Sequence, residues 1–199
     1  MLCADGDDAP DAQLYDMHPL PYQGMWIAPL RVYHWKDFKR VEIQLAHSRD
    51  GRHWNRFLNH RPLIPRGGEG SYDQFDIETP TQPLVVGDEL WFYYGGMNVH
   101  HDWWLTGQEE GLDLPEVRDP ALSENGHHLC LATLRLDGWV SLDATIREGL
   151  VETKPLFSMG SRLWINAKCE TNGYIDVEVT DTWGNPWENY SRQDCRTFT

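Results

Sequence analysis

Basic residues are scarce: 17 Lys and Arg stand against 31 Asp and Glu, a net charge of −14 in 199 residues. A chain with no basic surplus has little with which to displace counterions from phosphates, which argues against general nucleic-acid binding. Long apolar runs are missing as well. No stretch approaches the roughly 20 residues that a bilayer-crossing helix needs, so a spanning helix is excluded. No Cys-x-x-Cys pair occurs among Cys3, Cys130, Cys169 and Cys195, which excludes a zinc ribbon or thioredoxin-type site. Cys169 and Cys195 could pair within a C-terminal β unit; the plainer reading is free buried thiols. The acidic start, Met1 to Pro10, has neither the basic n-region nor the apolar h-region of a secretory signal. An extracellular or periplasmic place stays open if the true start lies upstream. Almost nothing keeps a 3.6-residue apolar period, so little helix is expected.

What is plentiful is aromatic: ten Trp, eight Tyr and six Phe. Aromatics fit pleated surfaces and stack on sugar rings. Strand candidates follow from β-branched and aromatic runs: Met25–Trp35, Val41–Ser48, Glu89–Gly95, Leu129–Leu136, Arg162–Lys168 and Tyr174–Thr180. Asp50-Gly51 and Asp137-Gly138 read as tight hairpin turns, because glycine reaches positive φ without steric cost.

A diverged internal repeat organises these runs. Pro19-Leu20 leads through a turn to Trp26-Ile27, as Pro83-Leu84 leads through Val86-Gly87-Asp88 to Leu90-Trp91. Leu45-Ala46-His47-Ser48-Arg49-Asp50-Gly51 parallels Leu131-Ala132-Thr133-Leu134-Arg135-Leu136-Asp137-Gly138, with one extra residue in the second copy. The second copy carries an insertion from about Met97 to Gly126. Four-stranded units in tandem are the mark of propeller blades. The expectation is an all-β chain: an acidic tail at 1–12, two four-stranded blades within 13–149 (13–58 and 77–143), and a partial β-sandwich at 150–199. Two blades cannot close a ring. The chain is thus expected to be a piece of a longer protein, lacking N-terminal blades, or to assemble with something that completes it.

In a four-stranded meander the chain reverses at each turn, so residues sort onto two faces. Asp16 and His18, then Asp73, Asp76 and Glu78, then Trp35-Lys36-Asp37 and Met97–Trp104 fall on one face near the axis. Carboxylate pairs act on glycosidic bonds, and indoles take the apolar faces of sugar rings. This face therefore reads as a carbohydrate cleft. Glu78 is a candidate general acid, if burial or Asp76 raises its pKa, against a structural glutamate at the inner strand. Asp16 is a candidate second carboxylate, against a turn residue. Asp76, His100, His101, Trp103 and Trp35 are candidates for substrate contact, against loop, hydrogen-bonding and packing roles. Adjacent histidines usually diverge, and His100-His101-Asp102 has no third ligand placed by the sequence, so no metal or cofactor is assigned.

Tyr22-Gln23-Gly24-Met25-Trp26, Leu45 to Trp54, Trp91-Phe92-Tyr93-Tyr94-Gly95-Gly96, and Leu131-Ala132 with Asp137-Gly138 carry a family likeness. Together they resemble the last blades of a five-bladed glycoside hydrolase-type propeller, the superfamily of invertase-like β-fructosidases, arabinanases and xylosidases (glycosyl hydrolase families 32 and 43). Lys154-Pro155-Leu156 and Leu163–Ala167 resemble the start of the sandwich appended to invertase-like members. The resemblance implies hydrolysis at an axial site of three acidic residues from different blades. The invertase-like Glu-Cys acid motif is absent, and Glu78-Thr79-Pro80 is a loose analogue. A non-catalytic propeller that binds glycans or proteins is the alternative. It predicts aromatics and histidines on this face without two facing carboxylates.

Overall fold

The computed structural model describes residues 2–36, 39–78, 82–157 and 160–199. They divide into two compact units, Met1–Leu136 and Asp137–Thr199. The chain is all-β in character: its long regular elements are antiparallel strands, and no helix among the described residues is long and apolar enough to cross a membrane.

The first sheet is built from β1 (Ala12–Met17), β2 (Leu20–Tyr22), β3 (Met25–His34), β4 (Arg40–Ser48), β5 (Trp54–Arg56) and β6 (Pro62–Ile64). β3 and β4 form its centre, paired from Trp26↔Ser48 to His34↔Arg40. β1 and β2 lie one after the other along β3, and β5 and β6 do the same along β4. Six segments thus fill four positions across the sheet. The alternation of β3 explains its burial. Ala28, Leu30 and Val32 pack on one face with Ala46, against Leu14, Met17 and Trp54. Ile27, Arg31 and Tyr33 belong to the other face. Val41, Ile43 and Leu45 are fully buried, each worth about 1.5–3 kcal/mol of apolar transfer.

The second sheet repeats the plan with β7 (Asp76–Ile77), β8 (Leu84–Val86), β9 (Glu89–Met97) and β10 (His127–Arg135). Its first position is again split in two, with β7 and β8 both along β9. Each copy then turns by a two-residue hairpin into its long strand. Tyr22 pairs with Met25 across Gln23-Gly24, whose φ values are 46° and 75°. Val86 pairs with Glu89 across Gly87-Asp88, with φ 60° at Gly87. Positive φ matches the turn to strand twist, which is why these positions favour glycine and tolerate few other residues. The four segments fill three positions, because no strand lies beyond β10 among the described residues. Asp137-Gly138 therefore ends the sheet instead of closing a hairpin. Between β9 and β10 the insertion folds into a π-helical turn (Trp103–Gly107), a short helix α1 (Pro115–Arg118) and a 3-10 turn (Pro120–Ser123).

The two sheets adjoin. Val41 N donates to Phe75 O at 2.9 Å, and His101 N donates to Lys39 O at 2.9 Å. These bonds bring the approach to β7 and the loop after β9 alongside β4.

In the second unit the strands expected at Leu150–Phe157, Arg162–Lys168 and Tyr174–Thr180 do not form among the described residues. Single bridges, Ile175↔Phe198 and Thr180↔Pro186, stand in their place. Leu163, Trp164 and Ile165 are exposed. β propensity expresses packing on a pleated neighbour, and among the described residues no strand pairs with this run. Cys169 and Cys195 are free thiols, both partly exposed, so the expected burial is incomplete.

Candidate functional site

The site grows from an irregularity in β1. Leu14 pairs with Val32 and Met17 with Leu30, so Tyr15 and Asp16 together stand opposite the single residue Arg31. A bulge of this kind re-aims side chains and is common beside functional sites. Here it turns Asp16 and Tyr15 toward one guanidinium. Arg31 Nη1 lies 3.6 Å from Asp16 Oδ2, and the guanidinium carbon sits 5.5 Å from the centre of the Tyr15 ring.

The second sheet supplies the other half. Asp76 is in β7 and Glu78 follows it, so period-two alternation puts both on one face. Arg31 Nη2 donates to Glu78 Oε1 at 2.8 Å and lies 3.6 Å from Asp76 Oδ2. Glu78 is held by its backbone, whose N–H donates to Gly95 O at 2.8 Å. Gly95 makes this approach close. A Cβ there would stand 3.0 Å from Glu78 Cβ.

Asp76 has no solvent exposure, and its Oδ2 accepts from His101 Nδ1 at 2.7 Å. Its Oδ1 accepts no hydrogen bond from the described residues. His101 Nε2 lies 3.4 Å from Asp102 Oδ1. The imidazole is edge-on to Tyr33 at 4.9 Å, tilted on Tyr15 at 5.6 Å, and 6.5 Å from the Trp104 ring. Asp102 itself is left-handed, with φ 56°, at the head of the π-helical turn. A non-glycine residue at positive φ is strained, and such strain gathers at functional sites.

Accessibility differs sharply among the acids. Asp76 is sealed, whereas the side chains of Asp16 and Glu78 are 42% and 41% exposed. Burial and then the neighbouring Asp76 charge raise the Glu78 pKa, with Arg31 opposing them. Burial and the Asp102 charge push the Tyr15 hydroxyl up to about 12.

The structure thus brings Asp16, Glu78, Asp76 and His101 together. His100 goes elsewhere: its backbone N–H and Nδ1 meet Glu116 Oε1, each at 3.1 Å, and its ring stacks on Phe75 at 3.8 Å. The adjacent histidines do diverge. Trp103 is buried, while Trp104, edge-on to it at 6.3 Å, is 55% exposed beside His101. Trp35 is exposed, with Lys36 and Lys39 Nζ at 5.0 and 5.5 Å from its ring, and it connects to the cluster through Lys39. Asp73 accepts from Tyr94 Oη at 2.7 Å. Asp37, Thr79 and Pro80 lie outside the described residues.

Arg31, Tyr15 and Tyr33 were not singled out in the sequence. Arg31 carried a signal all the same: it is the one charge in the ten-residue strand Met25–His34. For a cation, Asp5, Asp7 and His60 offer ligand atoms within 4.8 Å of one another. Asp5 is already bonded to the Arg56 guanidinium at 3.1 Å, so a protein cation fills that role.

No family model matches the chain, and no curated protein matches it. A solved BT0996 RGII complex matches with 15% identity and a TM-score of 0.36. The match covers 43% of this chain and 27% of that one, and a likeness at this level carries no argument about fold or function.

Proposed function

We propose that this chain contributes to a glycoside hydrolase of the propeller type, hydrolysing a glycosidic bond of a sugar or glycan. Glu78 is the general acid that protonates the leaving oxygen. Asp16 is the second carboxylate, facing the oxocarbenium-like charge that develops as the bond breaks. Asp76, sealed from solvent, acts through Arg31 and His101, which orient the sugar, and Trp104 and Tyr15 offer aromatic surface to the ring. His100, bonded to Glu116, and Trp103, buried behind Trp104, take no direct part.

One observation carries it. Two accessible carboxylates share one guanidinium, and burial together with the buried Asp76 raises the proton affinity of Glu78. A carboxyl that holds its proton more tightly than usual, with a second carboxylate nearby, is what a general acid needs. The alternative, glycan binding without turnover, draws on the Arg31–Glu78 bond, which pairs the carboxylate that would have to donate a proton.

The test is a screen of aryl glycosides with wild type and Glu78→Gln. The expected result is turnover of at least one glycoside, falling about 10²–10⁴-fold in the variant. Equal rates would remove Glu78 as the acid. Saturable binding without turnover would favour the alternative.

A further inference from the structure

We infer that β10 is a docking edge for a second copy of this chain: two β10 strands pair antiparallel about a two-fold axis at Leu131 and join the second sheets of two copies into one.

Every other sheet edge among the described residues is blunted. β1 carries a bulge and Asp16, and β2 and β6 carry Pro21 and Pro62. β5, β7 and β8 are only two or three residues long. Short length, charge, proline and bulges all keep an edge from recruiting a further strand. β10 has none of these. It runs nine residues in unbroken register with β9, with no proline and no acidic side chain, in a chain of net charge −14. Arg135, at its end, already stands opposite Glu89.

The backbone of β10 is set for an antiparallel neighbour. Asn98 N donates to Gly126 O at 3.2 Å, and Leu136 N donates to Asp88 O at 2.7 Å. At both ends of the ladder, then, the even-numbered residues bond across to β9. By alternation the N–H and C=O groups of His127, Leu129, Leu131, Thr133 and Arg135 point to the open edge. The side chains of the same residues form an exposed row that is apolar at its centre. Leu129 is 81% exposed and Leu131 44%, with the 41% exposed Tyr93 opposite Leu131. A sheet face left to water ordinarily carries polar side chains at such positions.

A second copy answers both features. The outward set is symmetric about Leu131. A two-fold axis there sets Leu131 against its own counterpart, Leu129 of one copy against Thr133 of the other, and His127 against Arg135. Odd-numbered residues meet odd-numbered residues throughout, so each pair exchanges hydrogen bonds; a slip of one residue would break them all. No carboxylate of one β10 faces a carboxylate of the other, so two acidic chains can meet along this line. The edge and its apolar row fall at the small end of specific interfaces, below roughly 1,200 Å², so the dimer dissociates with a Kd on the order of 10 µM.

The experiment is analytical ultracentrifugation of the full chain from about 1 µM to about 200 µM, at roughly 150 mM salt to screen the net charge, with amide hydrogen exchange followed by NMR at both ends of that range. The mass should double as concentration rises. The amides of Leu129, Leu131 and Thr133 should slow several-fold on association, while those of Cys130 and Ala132, already bonded to β9, should not change. Thr133→Pro removes an outward N–H and no bond to β9, and Leu131→Lys sets two ammonium groups against each other at the axis. Each variant, checked for native circular dichroism, should weaken association at least about tenfold. The exchange measurement uses wild type alone and decides the matter even where a variant does not fold. A monomer across the whole range overturns the inference. So does a dimer that both folded variants leave intact, or one whose formation leaves the three outward amides unprotected.

Discussion

Arg31 Nη2 donates to Glu78 Oε1 at 2.8 Å, joining the middle of β3 in the first sheet to the residue after β7 in the second. The bond makes the cluster a property of two neighbouring sheets and gives Arg31 both a structural and an electrostatic part. It also holds the candidate acid beside the second carboxylate.

Replacing Arg31 by Met keeps much of the length and removes the charge. Asp76, fully buried, then loses its guanidinium neighbour. Breaking a buried ion pair from one side costs about 3–5 kcal/mol. Denaturant unfolding should show a loss of that order, with Arg31→Lys recovering part of it. An unchanged midpoint would mean that Arg31 does not support the fold.

Glu78 should titrate above the ordinary glutamate range, followed by carboxyl carbon NMR. Its folded pKa is raised. Its stabilising effect is therefore complete below the unfolded pKa and is lost as pH rises through the folded one. Stability curves should show Glu78→Gln gaining on wild type across that interval, since the amide oxygen still accepts from Arg31. A variant that falls behind as pH rises would reverse the sign.

Glu116 behaves oppositely. Its hydrogen bonds with His100 outweigh burial and lower its pKa. Its contribution is present above the unfolded pKa and disappears as pH falls through the folded one. Glu116→Gln should lose about 1.5–3 kcal/mol at neutral pH, and the gap should close in acid. Because Glu116 lies in α1, increased proteolysis confined to residues 98–126 would be the accompanying sign.

The two adjacent tryptophans separate folding from binding. Trp103→Ala should cost about 3–5 kcal/mol, as for other buried large side chains. Trp104→Ala should leave thermal unfolding within about 0.5 kcal/mol of wild type and weaken sugar binding. Equal effects in both measurements would dissolve the distinction.

The β architecture was legible because long runs such as Met25–Trp35 and Glu89–Gly95 meet partners that match their period. The repeat was legible through its turns, and the split first position of each sheet is its structural counterpart. What misled was propensity without a partner: Arg162–Lys168 is rich in strand formers, yet its apolar side chains are exposed and unpaired in any sheet. Asp16, Asp76, Glu78 and His101 could be gathered from chain reversal alone, because they flank the same ends of corresponding strands. Arg31 could not, since its importance comes from a bulge that no spacing announces. His100 was named with its neighbour His101 and Trp103 was named without Trp104, whereas side-chain direction separates the two histidines and leaves Trp104, not Trp103, exposed.

On the proposed reading, Glu78 delivers a proton during glycoside cleavage. The most direct measurement is kcat/KM against pH on a cleaved aryl glycoside, set beside the NMR titration of Glu78 in the same protein. A basic limb whose midpoint coincides with the Glu78 titration, and which vanishes in Glu78→Gln, is the predicted result. Turnover that ignores the Glu78 titration, or no turnover of any glycoside, would contradict the claim.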